Sequence, residues 1–303
     1  MQLGFALPVS GPWATPENVA SVARDAENAG FHGLWTFQRW LVDDSQAGVY
    51  QSVLDPMIVL GFAAAVTSRA RLGLAIVNGP FYAPVAIAKQ LAALDVLSNG
   101  RVDAGIGLGW VPEEYAAAGV SMDKRGQRFD EWLDCLDVLL TGEDVSFDGT
   151  YYKVPPMRIA PRPVQQPRPP ILIGGSNARA LRRAGAHDGW ISRSRATIDD
   201  VRASIPAVRE AAESAGKSPD SVRCVVRGIT VLREHPNDDP DRLVLDGSLD
   251  QIREGLAAYA AAGADEVFLD LNFDSERVGN AAADPTVAVE LAARLMPLGA
   301  EAF

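Results

Sequence analysis

The sequence predicts an α/β fold, a (β/α)8 TIM barrel with an insertion after the fourth strand-helix unit. Short β-rich runs alternate with amphipathic helical stretches, eight such runs can be counted, and closed barrels commonly reach 303 residues as one domain. Residues 1–303 are therefore predicted to form a single domain. An open doubly wound sheet is the alternative, but no G-x-G-x-x-G follows the first strand, where that fold places its phosphate turn.

Helix start and stop signals flank the predicted strands. Thr15 and Pro16 are typical of an N-cap and a first helical position, and Gly30 ends the helix that follows. Ser248 and Gln251 form a capping-box pattern that opens the helix before the last strand. The predicted strands span residues 3–7, 33–37, 71–77, 102–107, 171–173, 189–192, 222–231 and 266–271.

The alternation breaks between residues 141 and 170. Residues 145–152 predict a hairpin that turns at Asp148-Gly149. A proline-rich run that begins with Pro155 and Pro156 then predicts an extended surface crossing without regular structure. We interpret 141–170 as a hairpin and Pro-rich insertion within one domain because a strand resumes directly after it. An interdomain linker is the weaker alternative.

Composition and charge exclude several classes of function. Asp and Glu outnumber Lys and Arg by 39 to 28, and a formal net charge of −11 disfavours binding to nucleic acid or to anionic membranes. The N-terminus resembles no signal peptide and no apolar stretch is long enough to span a bilayer, so we expect a soluble, cytoplasmic protein. Cys135 and Cys224 are expected to be buried thiols, and the spacing of the three histidines predicts no metal site.

In a barrel of this kind, functional residues follow the C-terminal ends of the strands. Those segments contain no Ser-His-Asp arrangement and no carboxylate pair, which argues against a hydrolase or a glycosidase. Gly174-Gly175-Ser176-Asn177 precedes a helix, where free N–H groups and the helix dipole favour an anion; a plain capping turn is the alternative. Gly105, Gly107 and Gly109 share one strand face, which favours either the close approach of a ring or backbone, or tight barrel packing.

These segments belong to a wider resemblance. The sequence is similar to the luciferase-like monooxygenase superfamily, in particular to its actinobacterial branch that uses the deazaflavin coenzyme F420. The matches run in order over most of the chain and are densest from residue 67 to 192. The matching segments are 4–8, 29–31, 34–36, 67–73, 88–90, 94–101, 107–110, 125–126, 161–165, 170–175 and 188–190.

The resemblance implies a luciferase-like TIM barrel, a homodimer, that passes a hydride between F420 and an organic substrate. It places the cofactor ring at the C-terminal mouth of the barrel, with a cis peptide bond between Ala75 and Ile76 facing the ring. It places the phosphate near the glycine segments of the fourth and fifth strands. The expected cofactor-binding residues are Leu74, Ala75, Ile76, Gly107, Leu108, Gly109, Gly174, Gly175, Ser176 and Asn177.

The residues expected to act on the substrate also follow strand ends. Gln38 or Arg39 is expected to donate a hydrogen bond to a carbonyl or anionic substrate oxygen, with Asn78 touching the ring. An exposed surface charge is the alternative for Arg39. Aromatic side chains predict a flat cavity for a small apolar or aromatic substrate, although each aromatic alone is typical of packing. These aromatic residues are Trp13, Phe37, Trp40, Tyr82 and Trp110.

The sequence departs from the sugar-phosphate dehydrogenase branch of the superfamily. That branch ends its second strand in Asp-His and places a Glu after the fourth-strand glycines. Gln38, Arg39 and Trp110 stand there instead, so oxidation of a sugar phosphate is not expected. An FMN-dependent monooxygenase of the same fold and a non-catalytic flavin-binding barrel are the alternative functions.

A basic cluster bears on the choice between F420 and FMN. F420 continues beyond its phosphate into a long anionic tail, which FMN lacks. In an acidic chain, such a tail needs basic groups nearby, because screening weakens charges more than roughly 8–10 Å away. Ordinary surface charge is the alternative. The cluster consists of Arg179, Arg182, Arg183, Arg193 and Arg195.

Overall fold

The computed structural model of the protein describes residues 1–42 and 48–303. Eight parallel strands pair in chain order, and the eighth pairs with the first, so the barrel closes and the predicted (β/α)8 fold is confirmed. The open doubly wound sheet is thereby excluded. The strands are β1 (Gln2–Ala6), β2 (Gly33–Thr36), β3 (Arg71–Leu74), β4 (Val102–Gly107), β5 (Ile171–Gly174), β6 (Gly189–Ile191), β7 (Arg223–Leu232) and β8 (Glu266–Asp270).

Helices pack around the outside of the barrel, and local sequence explains where many of them begin. Proline occupies the start of five helices, where its missing N–H has no intrahelical partner to lose. Thr15 and Ser248 cap their helices as predicted. The helices are α1 (Pro16–Ala29), α2 (Pro56–Val66), α3 (Pro84–Leu97), α4 (Pro112–Ala117), α5 (Arg125–Thr141), α6 (Ala178–Ala186), α7 (Ile198–Ser214), α8 (Leu249–Ala261) and α9 (Pro285–Leu295). None of those in the described part of the chain has both the length and the apolar composition needed to cross a membrane.

The third strand differs from its prediction. Residues 71–77 were expected to form one continuous strand, but β3 ends at Leu74 and pairing resumes only at Val77–Asn78, beside β4. The bond between Ala75 and Ile76 is cis, as the resemblance implied. The chain therefore bulges at this point, which lies at the C-terminal end of the barrel.

The excursion after α5 contains the predicted hairpin, with one correction. Its strands are Asp144–Asp148 and Lys153–Arg158, so Pro155 and Pro156 lie within a strand, where an irregular crossing was expected. The register shifts between Val145 and Phe147, so that both prolines oppose the single residue between them. Such a bulge leaves residues out of the hydrogen-bond ladder, which is why a strand tolerates prolines there.

The barrel interior is filled in layers. Its middle layer is apolar and includes Trp35, which stacks on Phe268 with ring centres 5.1 Å apart. At the N-terminal end, the Trp35 indole donates to Glu266 at 2.7 Å, and Asp103 accepts hydrogen bonds from Arg71 and Arg223. The N-terminal end is thus closed by a buried layer of paired charges, and access to the interior lies at the other end.

Candidate active site

A cavity of about 410 Å³ opens at the C-terminal end of the barrel, within the range of roughly 300–1,000 Å³ that is typical of small-molecule sites. It lies among the segments that follow β2, β4, β5 and β6 and the bulge after β3. The structure thus brings together residues that are far apart in the sequence. The predicted site residues that line it are Phe37, Gln38, Arg39, Ala75, Ile76, Asn78, Gly107, Leu108, Gly109, Trp110, Gly174, Gly175, Ser176 and Asn177.

The four other predicted site residues do not line the cavity. Trp13 is fully buried in the core, and Leu74 is buried at the end of β3. Trp40 is 37% exposed, and its indole donates to the Tyr82 hydroxyl at 3.2 Å. Trp13, Trp40 and Tyr82 therefore act through packing and hydrogen bonding around the site, where contact with a ligand was expected.

Two of the glycines make room for the bulge after β3. A side chain at Gly105 would lie 1.7 Å from the Leu74 carbonyl oxygen, and one at Gly107 would lie 2.4 Å from the Ile76 side chain. At Gly105 the close approach of backbone is therefore observed, and at Gly107 tight packing against a side chain is observed. The glycines contribute to the site indirectly, because they allow residues 74–76 to press into the top of the barrel.

Anion-binding groups converge on one side of the cavity. Gly175 has a φ of +127°, which only glycine adopts readily, and α6 begins three residues later with its N-terminus at the cavity. The Asn177 side chain accepts the N–H groups of Arg179 and Ala180 and so caps the helix. The backbone N–H groups of Ser176 and Asn177 donate to no acceptor that the structure describes. This segment therefore caps the helix and leaves two backbone N–H groups, beside a helix N-terminus, that are suited to receive an anion.

The cavity is rich in arginine although the chain is acidic overall. The described lining residues include five arginines and one carboxylate, Glu114. Three of these arginines pair with acids outside the cavity: Arg183 with Asp130, Arg193 with Asp200 and Arg227 with Asp270. Arg125 donates to the Gly109 carbonyl at 3.3 Å, and Arg39 is described below. The lining therefore favours an anionic ligand.

Gln38 is committed to hydrogen bonds within the protein. Its side-chain oxygen accepts the Asn78 backbone N–H at 2.9 Å, and its Nε2 donates to the Tyr82 hydroxyl at 2.5 Å. Burial raises the pKa of Tyr82, so this hydroxyl stays neutral at physiological pH. Gln38 thus ties the end of β2 to the segment after the bulge, and the side chain of Asn78 is left facing the cavity.

Arg39 is buried at the cavity, which excludes the alternative of an exposed surface charge. Its side chain is 5% exposed, and its Nη1 lies 3.6 Å from Oε2 of Glu114. Its guanidinium lies 4.1 Å from the centre of the Tyr50 ring and 5.3 Å from that of Trp110. Glu114 also accepts the backbone N–H groups of Trp40 and Leu41, so it holds the segment that carries Arg39.

Several lining residues were missed by the sequence analysis. Tyr50 lies in a segment without a strand or helix pattern, and Glu114 lies on the short helix α4, which was not predicted. Arg227 had a readable signal, because it is a charge in the middle of an otherwise apolar strand. Arg125 belongs to a matching segment of the resemblance but was given no role. In each case the missing information was which strand end the residue faces.

The lining suits binding and orientation better than acid-base chemistry. It holds no His or Cys among the described residues, and its single carboxylate is occupied by backbone N–H groups. No group of His, Cys, Asp or Glu in residues 1–42 and 48–303 could hold a metal ion. With this lining, redox chemistry at the site would require a bound cofactor.

The fold and the cavity define a TIM-barrel protein with a small-molecule site at its C-terminal mouth. Comparison with known families is more specific: residues 2–238 match the model of the luciferase-like monooxygenase family. The chain belongs to this family, and the resemblance seen in the sequence is confirmed.

Individual relatives support the same assignment. An uncharacterized protein of Mycobacterium tuberculosis is 35% identical over 214 residues, which cover 64% of this chain and 73% of that protein. The FMNH2-dependent dimethylsulfone monooxygenase of Pseudomonas putida is 27% identical over 216 residues, covering 70% of this chain and 57% of that protein.

Solved structures are similar over nearly the whole chain. The monooxygenase RslO1 from Streptomyces bottropensis is 26% identical, with a TM-score of 0.82 over 99% of this chain and 98% of that one. An F420-dependent secondary alcohol dehydrogenase has a TM-score of 0.80 over 99% of both chains, but at 16% identity it shows the fold alone. Proteins similar to this chain thus use either F420 or FMN.

Proposed function

We propose that this protein is an oxidoreductase that transfers a hydride between coenzyme F420 and a small, flat, apolar or aromatic organic substrate. The cofactor supplies the hydride chemistry when bound, and the protein positions cofactor and substrate at the cavity. We choose F420 over FMN because a path of arginines leads from the cavity to the surface.

Arg183 stands at the start of this path. It lines the cavity, and it also lines a neighbouring surface hollow together with Arg179 and Arg182. In that hollow, Asp130 is the one acid among the described lining residues, and it pairs with Arg183. A long anionic tail that leaves the phosphate site would meet positive charge along this path, despite the net charge of −11. FMN ends at its phosphate and has no tail to place in the hollow.

The cavity residues also fit the parts that F420 and FMN share. The open backbone N–H groups at Ser176 and Asn177, the N-terminus of α6 and the nearby guanidinium of Arg125 suit a phosphate. The bulge contributes the apolar residues Ala75 and Ile76 to the cavity lining, which suits contact with a tricyclic ring. This chain's own role is to hold the ring between the bulge and the substrate pocket and to exclude water from it.

Separate titrations with F420 and FMN test the proposal, with cofactor fluorescence as the readout. We expect F420 to bind at least about tenfold more tightly, the equivalent of roughly 1.4 kcal/mol. Replacing Arg179 and Arg183 by Glu should weaken F420 far more than FMN. Arg179→Glu alone is the cleaner variant, because Arg183→Glu also places a carboxylate beside Asp130.

Arg202→Glu is the matched control, because Arg202 lies on the exposed surface of α7 and pairs only with its neighbour Asp199 among the described residues. It should leave both affinities unchanged. An equal effect of Arg179→Glu on F420 and FMN, or preferential binding of FMN by the wild type, would contradict the choice of F420.

A monooxygenase that uses reduced FMN is the second candidate. It is favoured by the dimethylsulfone monooxygenase and by RslO1, whose identities to this chain exceed that of the F420-dependent dehydrogenase. Substrate turnover with reduced F420 without oxygen supports the first candidate. Turnover only with reduced FMN plus oxygen supports the second. The homodimer implied by the resemblance stays a prediction, which sedimentation equilibrium of the purified protein tests directly.

A further inference from the structure

Arg39 is a buried cation whose hydrogen-bonding capacity is unused within residues 1–42 and 48–303. Its side chain is 5% exposed and lines the cavity. Its Nε is shielded from solvent and has no hydrogen-bond partner there. A buried guanidinium without acceptors loses the hydrogen bonds that it makes in water. An acceptor oxygen on a bound ligand would restore them.

Glu114 balances the charge of Arg39 without occupying its donors. Its Oε2 lies 3.6 Å from Nη1 of Arg39, which is too far for a hydrogen bond. Its Oε1 is taken by the backbone N–H groups of Trp40 and Leu41, at 2.7 and 3.2 Å. Glu114 therefore acts as a positioning residue, and the planar fork of Arg39 remains available to an incoming anion.

The neighbours of Arg39 in the cavity offer no equivalent group. Gln38 is bonded to Asn78 and Tyr82, although the sequence alone gave it the same expected role. The guanidinium of Arg227 is held by Asp270 at 2.7 Å and by the Ser194 hydroxyl at 3.2 Å. Nη2 of Arg227 also lacks a hydrogen bond, but it lies 2.6 Å from Oδ2 of Asp270. Arg39 differs because no donor of its guanidinium is hydrogen-bonded to a described residue.

The surroundings of Arg39 also restrict the shape of its ligand. The rings of Tyr50 and Trp110 both lie close to the guanidinium of Arg39, and Phe37 also lines the cavity. Trp110 is 63% exposed, so its ring is free to cover a ligand that enters. Aromatic walls of this kind favour flat, apolar groups.

We propose that the substrate is a planar organic acid, whose carboxylate is bound by Arg39 through paired hydrogen bonds while Tyr50 and Trp110 contact its flat body. The identity of the reaction rests on the proposed function, whereas the binding step needs only the protein. Bidentate binding of a carboxylate matches the geometry of the guanidinium fork. The acid also supplies the acceptors that the buried Arg39 lacks.

Binding of aryl carboxylates to the purified full chain tests this inference. Benzoate and trans-cinnamate are each compared with the corresponding uncharged amide by calorimetry and by tryptophan fluorescence, before and after saturation with cofactor. We expect the wild type to prefer at least one acid over its amide by about 10- to 100-fold, as for a hydrogen bond to a charged group. Arg39→Gln should abolish this preference, and Arg39→Lys should keep part of it because the charge remains but the fork is lost.

Arg202→Gln is the matched surface control and should bind like the wild type. Thermal melting shows whether each variant is folded; if Arg39→Gln is not, the reduced preference of Arg39→Lys decides. Equal binding of acids and amides by the wild type would overturn the proposal. So would an unchanged acid preference in a folded Arg39→Gln, or a loss in that variant of F420 affinity alone, which would assign Arg39 to the cofactor.

The proposed function can fail separately from this inference. If the wild type binds neither F420 nor FMN, the proposed function is wrong, yet the measurements on cofactor-free protein still decide whether Arg39 binds carboxylates. If a cofactor binds but the acids show no Arg39-dependent preference, only the substrate class is wrong.

Discussion

The two ends of the barrel interior both bury charged side chains, but they satisfy them differently. At the N-terminal end, Asp103 is fully buried and accepts hydrogen bonds from Arg71 and Arg223. At the C-terminal end, Arg39 is nearly as buried, but Glu114, the one acid paired with it in the described part of the chain, lies beyond hydrogen-bond distance. At the closed end Asp103 and Glu266 accept hydrogen bonds from within the chain, although Arg223 Nε and Glu266 Oε2 have no partner there. At the cavity, the guanidinium of Arg39 makes no hydrogen bond to any described residue. The first arrangement serves the fold, and the second predicts a ligand.

The same strands supply both ends. On β7, side chains that alternate toward the interior run from Arg223 through Val225 to Arg227. On β8, the corresponding series runs from Glu266 through Phe268 to Asp270. An apolar middle layer therefore separates two polar layers, as the two-residue period of a strand requires. The comparison between the ends can be tested at single residues.

Removing Asp103 should have the largest effect on stability. Asp103→Ala removes the fully buried acceptor that Arg71 and Arg223 share. Because their side chains are 22% and 25% exposed, the cost should lie at the lower end of the about 3–5 kcal/mol found for broken buried pairs. Urea denaturation measures the loss. Asp199→Ala, whose pair with Arg202 is exposed, is the control and should show no measurable change. Similar effects of the two variants would mean that the N-terminal charge layer is not structural.

A side chain at Gly107 should disturb the cavity end. Its Cβ would lie 2.4 Å from Ile76, so Gly107→Ala should lose roughly 1–3 kcal/mol of unfolding free energy through overpacking and should weaken cofactor binding. Gly61, inside α2, has nothing within 4 Å of a built Cβ. Gly61→Ala should therefore be stabilising by about 0.5–1 kcal/mol. A Gly107→Ala protein as stable as the wild type would show that the bulge needs no glycine there.

Glu266 should make the stability of the N-terminal layer depend on pH. Burial raises its pKa from 4.5 to about 7, while Trp35, Arg223 and Arg71 favour the charged form and Asp103 opposes it. Between these two pH values the folded protein binds more protons than the unfolded chain. The free energy of unfolding should therefore fall as the pH rises, by at most about 1.4 kcal/mol per pH unit from this group.

Glu266→Gln should flatten that dependence in urea titrations between pH 4.5 and 7. Glu254→Gln, on the exposed side of α8, is the matched control and should retain the wild-type profile. An unchanged pH dependence in Glu266→Gln would assign the titration to another group.

The smallest expected effects concern two helix N-caps, one at the cavity and one outside it. Asn177 caps α6 at the cavity, whereas Ser248 caps α8, and neither Ser248 nor its capping-box partner Gln251 lines the cavity. Replacing either residue by Ala should cost about 1 kcal/mol of stability. Only Asn177→Ala should also weaken cofactor binding, because it loosens the N-terminus that faces the anion site. Equal cofactor affinities in the two variants would limit Asn177 to its structural role.

Much of the fold could be predicted because its determinants are local. The eight strands are apolar runs bounded by turn signals, and Thr15 with Pro16 fixes the start of α1 by contacts within three residues. The split of β3 and the strand at Pro155 and Pro156 could not be predicted in this way. Both depend on which residues lie opposite on the neighbouring strand.

For the same reason, the sequence predicted some parts of the candidate site and not others. The glycine segments and residues 75–76 carry a recognisable pattern, and the structure places them at the cavity. Trp13 and Arg39 carry no local mark of burial or exposure. Their environments are set by segments far along the chain, and Glu114 reaches the backbone of Trp40 across 74 residues of sequence.

The sequence by itself predicted the alternation of strands and helices, because local propensity and strand period specify it, and its resemblance to a known family indicated the closed barrel. Only the tertiary structure decided that Gln38 is internally bonded while Arg39 is buried with open donors. That difference between adjacent residues arises when the barrel closes and brings Asn78, Tyr82 and Glu114 to the end of β2. Hydrogen bonds form between groups that are neighbours in space, which need not be neighbours in sequence.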